Sequence, residues 1–467
     1  MKTFFLFLIS LFFLNGIGHA EEMTVSNEKE LQMALENLSD HDVIVMKEGI
    51  YKGTLTIDKS ITIKGETGAT LVGPNQGNVI TINADDVTIE NLQIEGSGSQ
   101  NAGIHVNGNR SVIKNNKLYN VFHGIVLKNS YGHQIEGNVI TSFQDEKFHK
   151  GHGVYLIEAP QTIVSNNYIY QSNDGIYLSY SNLCLLTGNQ IIKTRYGIHL
   201  MDSEDVGITQ NQLINNRNGL MIMQSLRLTI KENLLYENKT LEGAGLFLFD
   251  TFDSTISANI FKKNNKGIYF ENGKRNEISF NEFIENDKGI ELGKTSENNQ
   301  IYLNNFFNNI QQVITDQDNV NSFNRDGYGN YWDDQTHIDL GLGNDSLNGT
   351  SEPEDRFLIE TVAYAYKSGD VFYHLTADEP YLQIFSGSPA VRLWNAIEQF
   401  TAIPSKQFII DEYPLQEPIV IERSQILEGN GNMHEEMDFV DGCLFAGFLS
   451  ISFFTLWKLR RTKHESA

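Results

Sequence analysis

Residues Asp174–Asn233 read DGIYLSYSNLCLLTGNQIIKTR, then YGIHLMDSEDVGITQNQLINNR, then NGLMIMQSLRLTIKEN, and this stretch decides the fold. Gly175, Gly197 and Gly219 stand 22 residues apart, each followed by an apolar–x–apolar triplet. Asn189, Asn211 and Asn233 each follow their glycine by 14 residues. A fixed period of roughly 20–30 residues built from short strands marks a solenoid.

Working outward, the glycine series runs Gly103, Gly124, Gly153, Gly175, Gly197, Gly219, Gly245, Gly267 and Gly289. Two longer intervals place polar insertions at Gln144–Lys150 and Asn238–Glu242. Side chains alternate across a strand, so the aliphatics at +1 and +3 from each glycine point inward. Further aliphatics recur at +11 (Leu186, Ile208, Ile230) and +16 (Ile191, Leu213, Leu235), so several strands per turn wrap one apolar interior. The asparagines at +14, from Asn138 to Asn281, read as a structural ladder, because asparagine tolerates left-handed turns and bonds its equivalents along a stack. Before the regular rungs, Leu31, Ala34, Leu35 and Leu38 fall at helical spacing and predict a short helix that caps the open end.

The fold class expected is therefore all-β: a right-handed parallel β-helix with an N-terminal helical cap, an irregular C-terminal capping region and a C-terminal transmembrane helix. Residues 1–20 read as a signal peptide, with Lys2 before an apolar run and Gly18-His19-Ala20 at the cleavage positions. Cap and first rungs occupy 21–100, the regular rungs 101–322, and the capping region 323–415, where SPAVRLWNAIEQF predicts a helix that includes Trp394. An acidic tether (416–438) leads to an apolar segment, 439–457, followed by a basic tail, 458–467. That segment is just long enough to span a bilayer, and the basic tail fits the positive-inside rule, which leaves the bulk of the chain on the extracytoplasmic face. A buried hydrophobic helix is the competing reading of the same residues.

A net charge of −24 argues against nucleic acid as a partner, since phosphate binding needs a basic face. The two cysteines, Cys184 and Cys443, provide neither a disulfide framework nor a thiolate metal site.

If +1 and +3 face in, +2 and +4 face out. A solvated face would be polar there, yet +2 reads Tyr155, Tyr177, His199, Met221, Phe247 and Tyr269, and +4 includes Ile157, Met201, Met223 and Phe249. Apolar patches of this kind mark contact with another surface. Tyr155, Tyr177, Phe247, Phe249 and Tyr269 are the candidate docking residues, with a partner or the chain's own C-terminal region as occupant. Within the patch, His199 and Met201 lie on one rung and Met221 and Met223 on the next. Imidazole and thioether are soft donors that suit Cu(I) rather than calcium or magnesium, although methionine also serves simple packing at adaptable interfaces. An enzyme of this fold would need paired carboxylates across a groove, or a base with nearby cations, and no outward column repeats Asp, Lys or Arg. No catalytic residues and no organic cofactor are expected.

The chain resembles the NosD family, accessory proteins for nitrous oxide reductase maturation. The resemblance rests on GNYWDD at Gly329–Asp334, FYHLTADEPYLQIFSGSPAVRLWNAIEQF at Phe372–Phe400 and IIDEYPL at Ile409–Leu415, beyond the glycine-led rungs themselves. The loop after the Tyr-Trp motif, with Asp339 and Asp345, departs from the family's denser acidic run. The resemblance implies an extracytoplasmic β-helix that works beside an ABC transporter permease and ATPase. It further implies copper or sulfur supply to the reductase's copper sites, with transient copper as the bound metal and a copper chaperone and the reductase as partners. A cell-surface protein that binds or modifies polysaccharide is the alternative for the same fold.

Overall fold

The computed structural model describes residues 21–143, 149–240, 243–293, 295–315, 320–333, 364–367, 408–421 and 423. Apart from Arg423 these belong to one compact unit. The signal segment 1–20, the helix over SPAVRLWNAIEQF with Trp394, most of the tether, the anchor 439–457 and the basic tail lie outside the described residues. Among the described residues no helix is long and apolar enough to cross a membrane.

Three parallel sheets of 13, 12 and 13 strands wind around one core, each strand pairing with its counterpart one turn away. Each turn contributes one strand to each sheet. The turn led by Gly175 supplies Asp174–Ser179, Leu185–Thr187 and Gln190–Ile192. The expected inward residues of that turn, Ile176, Leu178, Leu186 and Ile191, are fully buried. The core is thus a set of aliphatic columns, which become aromatic towards the C-terminal end. There Phe261, Phe283, Phe306 and Trp332 stack with ring centroids 5.0, 4.7 and 4.4 Å apart.

The helix Glu28–Asn37 covers the N-terminal end. Asn27 caps it by accepting the Glu30 amide, and Glu30 reaches back to the Ser26 amide, while Leu31 and Ala34 are buried beneath it.

The leading glycines have a steric cause. A Cβ on Gly175 would stand 2.5 Å from the Gly197 carbonyl oxygen and 2.3 Å from Ile191 Cγ2, closer than any side chain can tolerate. That absent Cβ points inward, and so does Ile176 on the next residue. Two successive inward positions break the strict alternation of the strand. Consequently the residue before the glycine and the residue at +2 face the same way, outward.

The asparagine ladder is present and longer than the repeat implies. Asn116, Asn138, Asn167, Asn189, Asn211, Asn233, Asn259, Asn281, Asn304 and Asn330 hand on one pattern: each Oδ1 accepts the backbone N–H and the side-chain amide of its predecessor. A second ladder, Asn216, Asn238, Asn264, Asn286 and Asn309, runs beside it. Asn238, which opens the polar insertion in the sequence, is therefore a buried ladder member rather than a loop residue.

The first ladder ends on Asp411 of the IIDEYPL motif. Its carboxylate accepts the Asn330 amide at 2.7 Å, Trp332 Nε1 at 3.0 Å and the Tyr413 amide at 3.1 Å. Burial pushes the Asp411 carboxyl up to about 6 against those donors. Tyr331–Trp332 of GNYWDD is the last strand of the third sheet, paired with Asn305 and Phe306. Two of the three motifs that carry the family resemblance thus close the C-terminal end together.

Candidate functional site

The second sheet, which contains the strands that follow the leading glycines, carries the candidate site. Register places the four soft donors as their spacing implies: His199 pairs with Met221, and Met201 with Met223. The docking candidates extend the same column, Tyr155 against Tyr177 on one side and Phe247 against Tyr269 on the other.

Their exposure differs from the expectation. Tyr155, Tyr177, Met201, Met221, Met223, Phe247, Phe249 and Tyr269 are half-buried, and His199 is only 7% exposed. The cause is mutual covering. Tyr155 stacks on His123 at 5.1 Å, His152 on Tyr177 at 5.1 Å, and Tyr177 meets His199 edge-on at 4.8 Å. Phe247 meets Tyr269 edge-on at 4.9 Å, and the Lys266 ammonium lies 4.0 Å over the Tyr269 ring.

The residues before the glycines supply what the sequence pattern left out. Because the glycine breaks alternation, His123, Asp174, Tyr196 and Asn218 join the outward column, and His152 sits beside them. Asp174 is fully buried at the head of its strand. It accepts two hydrogen bonds from Arg195, Nε at 2.8 Å and Nη2 at 2.7 Å, and a third from His199 Nδ1 at 3.1 Å. Burial alone would raise the Asp174 carboxyl, but the His199 and Arg195 hydrogen bonds outweigh it and hold the carboxyl below the ordinary carboxylate range. Asp174 is therefore charged, and a charged carboxylate is an acceptor only.

That assignment fixes the imidazole. His199 donates Nδ1–H to Asp174, so in the neutral ring Nε2 carries the lone pair. Nε2 is buried and bonds nothing. A carboxylate behind one ring nitrogen, with the other left as a donor, is how proteins orient histidine towards a metal.

His123 is the opposite case. Its Nδ1 accepts the His152 amide at 3.0 Å, which puts the proton on Nε2 and leaves no outward lone pair. Burial keeps both neighbours neutral, lowering His123 to about 3 and His152 to about 4. His152 Nδ1 lies 3.4 Å from Asp174 Oδ2 without a hydrogen bond.

Two of the three thioethers are already engaged. The Tyr177 hydroxyl is 3.3 Å from Met201 Sδ, and the Asn218 amide nitrogen is 3.7 Å from Met221 Sδ. Among the described residues no group of three or more His, Cys, Asp or Glu is placed to hold a metal. A metal on this face would instead draw on one imidazole and neighbouring thioethers, a donor set that fits Cu(I) and not the hard oxygen-seeking ions.

The self-covering reading of the column involves the C-terminal region. Its described part, residues 408–421, binds at the last rungs, where Ile419 exchanges two hydrogen bonds with Asn305 and Leu415 bridges to Tyr331.

Comparison with known proteins places this geometry in a family. Residues 142–336 match the family model described as NosD, periplasmic copper-binding protein. The match starts in the rung led by Gly124, takes in the outward column from His152 onward and ends just past GNYWDD. A protein of Pseudomonas aeruginosa named probable ABC transporter binding protein NosD is 33% identical over 393 residues, covering 79% of this chain and 86% of the relative. Its namesake in Stutzerimonas stutzeri is 31% identical over 394 residues, covering 79% and 85%. Among solved structures, the Dettilon tailspike protein superposes with a TM-score of 0.52 at 14% identity, over 63% of this chain and 66% of its own, a likeness of fold alone.

Proposed function

The chain belongs to the NosD family, and from that premise we propose that it is an extracytoplasmic, non-enzymatic accessory protein that acts with an ABC transporter in copper supply. The recipient proposed is nitrous oxide reductase, with the permease, the ATPase and a copper chaperone as further partners. His199 with Met201, Met221 and Met223 is the proposed contact for Cu(I), and Tyr155, Tyr177, Phe247, Phe249 and Tyr269 form the proposed docking face around it. The signal segment 1–20 and the anchor 439–457 complete the proposal by holding the solenoid outside the cytoplasm.

One observation carries this reading: the buried, unpartnered Nε2 of His199, oriented by Asp174, with Met221 in register on the next rung. A buried polar nitrogen without a partner is costly and calls for a reason. Copper bound here would supply a soft cation held for transfer; the chain's own part is to orient the imidazole and to exclude water around it. A catalytic role for Asp174 on an outside sugar does not fit, because the carboxylate is enclosed and fully used by Arg195 and His199. The polysaccharide reading has little to stand on, since a sugar stacks on a free ring face and Tyr155 and Tyr177 already stack on His123 and His152.

The test is made in cells that produce the reductase. With the gene deleted and complemented by wild type, the purified reductase is expected to regain its copper. Complementation by His199→Ala is expected to leave it copper-poor. A full copper complement in the deletion strain would overturn the maturation role.

A further inference from the structure

The Asp174–His199 pair presents a lone pair, but the thioethers beside it are not waiting in the same way. Tyr177 sits one rung towards the N-terminus, in direct register with His199. Its ring lies edge-on to the imidazole, and its hydroxyl reaches past it to Met201 Sδ at 3.3 Å. Burial raises the phenol above its ordinary range, so it remains a protonated O–H donor.

A thioether has no donor of its own, and its sulfur lone pairs are both its hydrogen-bond acceptors and its metal ligands. The hydroxyl therefore occupies what a soft cation would use. Met201 is long and flexible, able to swing between two partners. The contact holds its sulfur towards the Tyr177 rung, on the side away from its register partner Met223.

We infer that Tyr177 is the residue that sets how tightly this site holds Cu(I), by competing through its hydroxyl for the sulfur of Met201. On binding, the O–H···S hydrogen bond breaks and a sulfur–copper bond forms. The proton stays on Tyr177. The competition weakens the complex by about the worth of one hydrogen bond, which suits a site that receives an ion and gives it up. This inference rests on the reading of His199 and its neighbours as a Cu(I) contact.

Cu(I) affinity of the full chain is measured anaerobically by competition with bicinchoninate. Tyr177→Phe keeps the ring against His199 and removes only the hydroxyl. It is expected to tighten Cu(I) binding by about three- to tenfold, the equivalent of one neutral hydrogen bond. Met201→Leu is expected to weaken binding, and Tyr177→Phe added to Met201→Leu to change nothing more, because the hydroxyl then has no sulfur to compete for. Unchanged or weaker binding in Tyr177→Phe overturns the inference, as does tightening that persists without Met201. Wild-type protein that binds no Cu(I), or binds it equally well as His199→Ala, overturns the copper reading and this inference with it. If Tyr177→Phe does not fold, methyl NMR of wild-type protein labelled at methionine decides. The Met201 resonance is expected to shift on Cu(I) addition, and a fixed resonance in protein that has bound Cu(I) overturns the inference.

Discussion

Asn211 and His199 lie 12 residues apart in the solenoid, His199 on a strand and Asn211 at the corner between two strands, and follow opposite rules. Asn211 is one of a column of identical residues, each making the same hydrogen bonds to the next. His199 has Tyr177 before it and Met221 after it, and bonds sideways to Asp174 instead of along the column. Where a position serves only to stack rungs, every rung poses the same geometric problem and the same residue answers it. Where the residue changes at each rung yet stays half-buried and in contact, stacking cannot be its whole purpose. Repetition marks the scaffold, and its failure marks the working face.

The two regions are expected to break differently. Asn211→Leu strands the Asn189 amide and side chain and removes two buried donors, so a loss of about 3 kcal/mol or more in urea unfolding is expected. His199→Ala is expected to cost much less stability, because Arg195 still pairs Asp174. If the two substitutions destabilise alike, the contrast is wrong.

A pH series separates the regions next. The ladder asparagines have nothing to titrate, and Asp411 at the ladder's end, raised to about 6, gains stability as the pH falls, whereas His123 and His152 are held neutral by burial, at about 3 and about 4. A histidine whose folded value is depressed stabilises fully above its unfolded value, near 6.5. That contribution is lost as the pH falls from there towards the folded value. Stability is therefore expected to fall between pH 7.5 and 4.5, by on the order of 2–4 kcal/mol. The paired change His123→Gln with His152→Gln is expected to reduce that dependence in urea titrations, with His133, lowered by burial to about 4, keeping a remainder. A slope of unchanged size in the double variant would place the titrating groups elsewhere.

A smaller effect, confined to the outer column, is expected from Asp174→Asn. Loss of the carboxylate that fixes the His199 tautomer is expected to weaken Cu(I) binding by roughly 10- to 100-fold, as outer-shell changes at metal sites do. Competition titration checks it, and an unchanged affinity would mean that Asp174 serves the fold alone.

Much of this was legible in the sequence, and what was not has identifiable causes. The glycine period, the inward aliphatics and the asparagines at +14 follow directly from strand alternation and turn chemistry. The four soft donors sit in the register their spacing implies. Asp174, His123 and His152 were missed because alternation puts the residue before each glycine inside. The steric demand that makes the glycine obligatory is the same demand that bends those residues outward. The second ladder was obscured at Asn238, where an insertion follows at once and makes a buried asparagine look like loop. Outward aromatics read as an exposed patch because strand alternation gives direction and not cover, whereas in the solenoid each ring is shielded by the rungs on either side. Asp411 closes the first ladder from 81 residues beyond Asn330, a separation at which no periodicity can speak.

X-ray absorption spectroscopy of the Cu(I)-loaded protein tests the central claim most directly, namely that the non-repeating outward face around His199 is where the metal is met. The expected spectrum shows imidazole scattering together with sulfur in the first shell, with the imidazole contribution lost in His199→Ala. A shell of oxygen and nitrogen without sulfur, or a wild-type spectrum retained in His199→Ala, would contradict it.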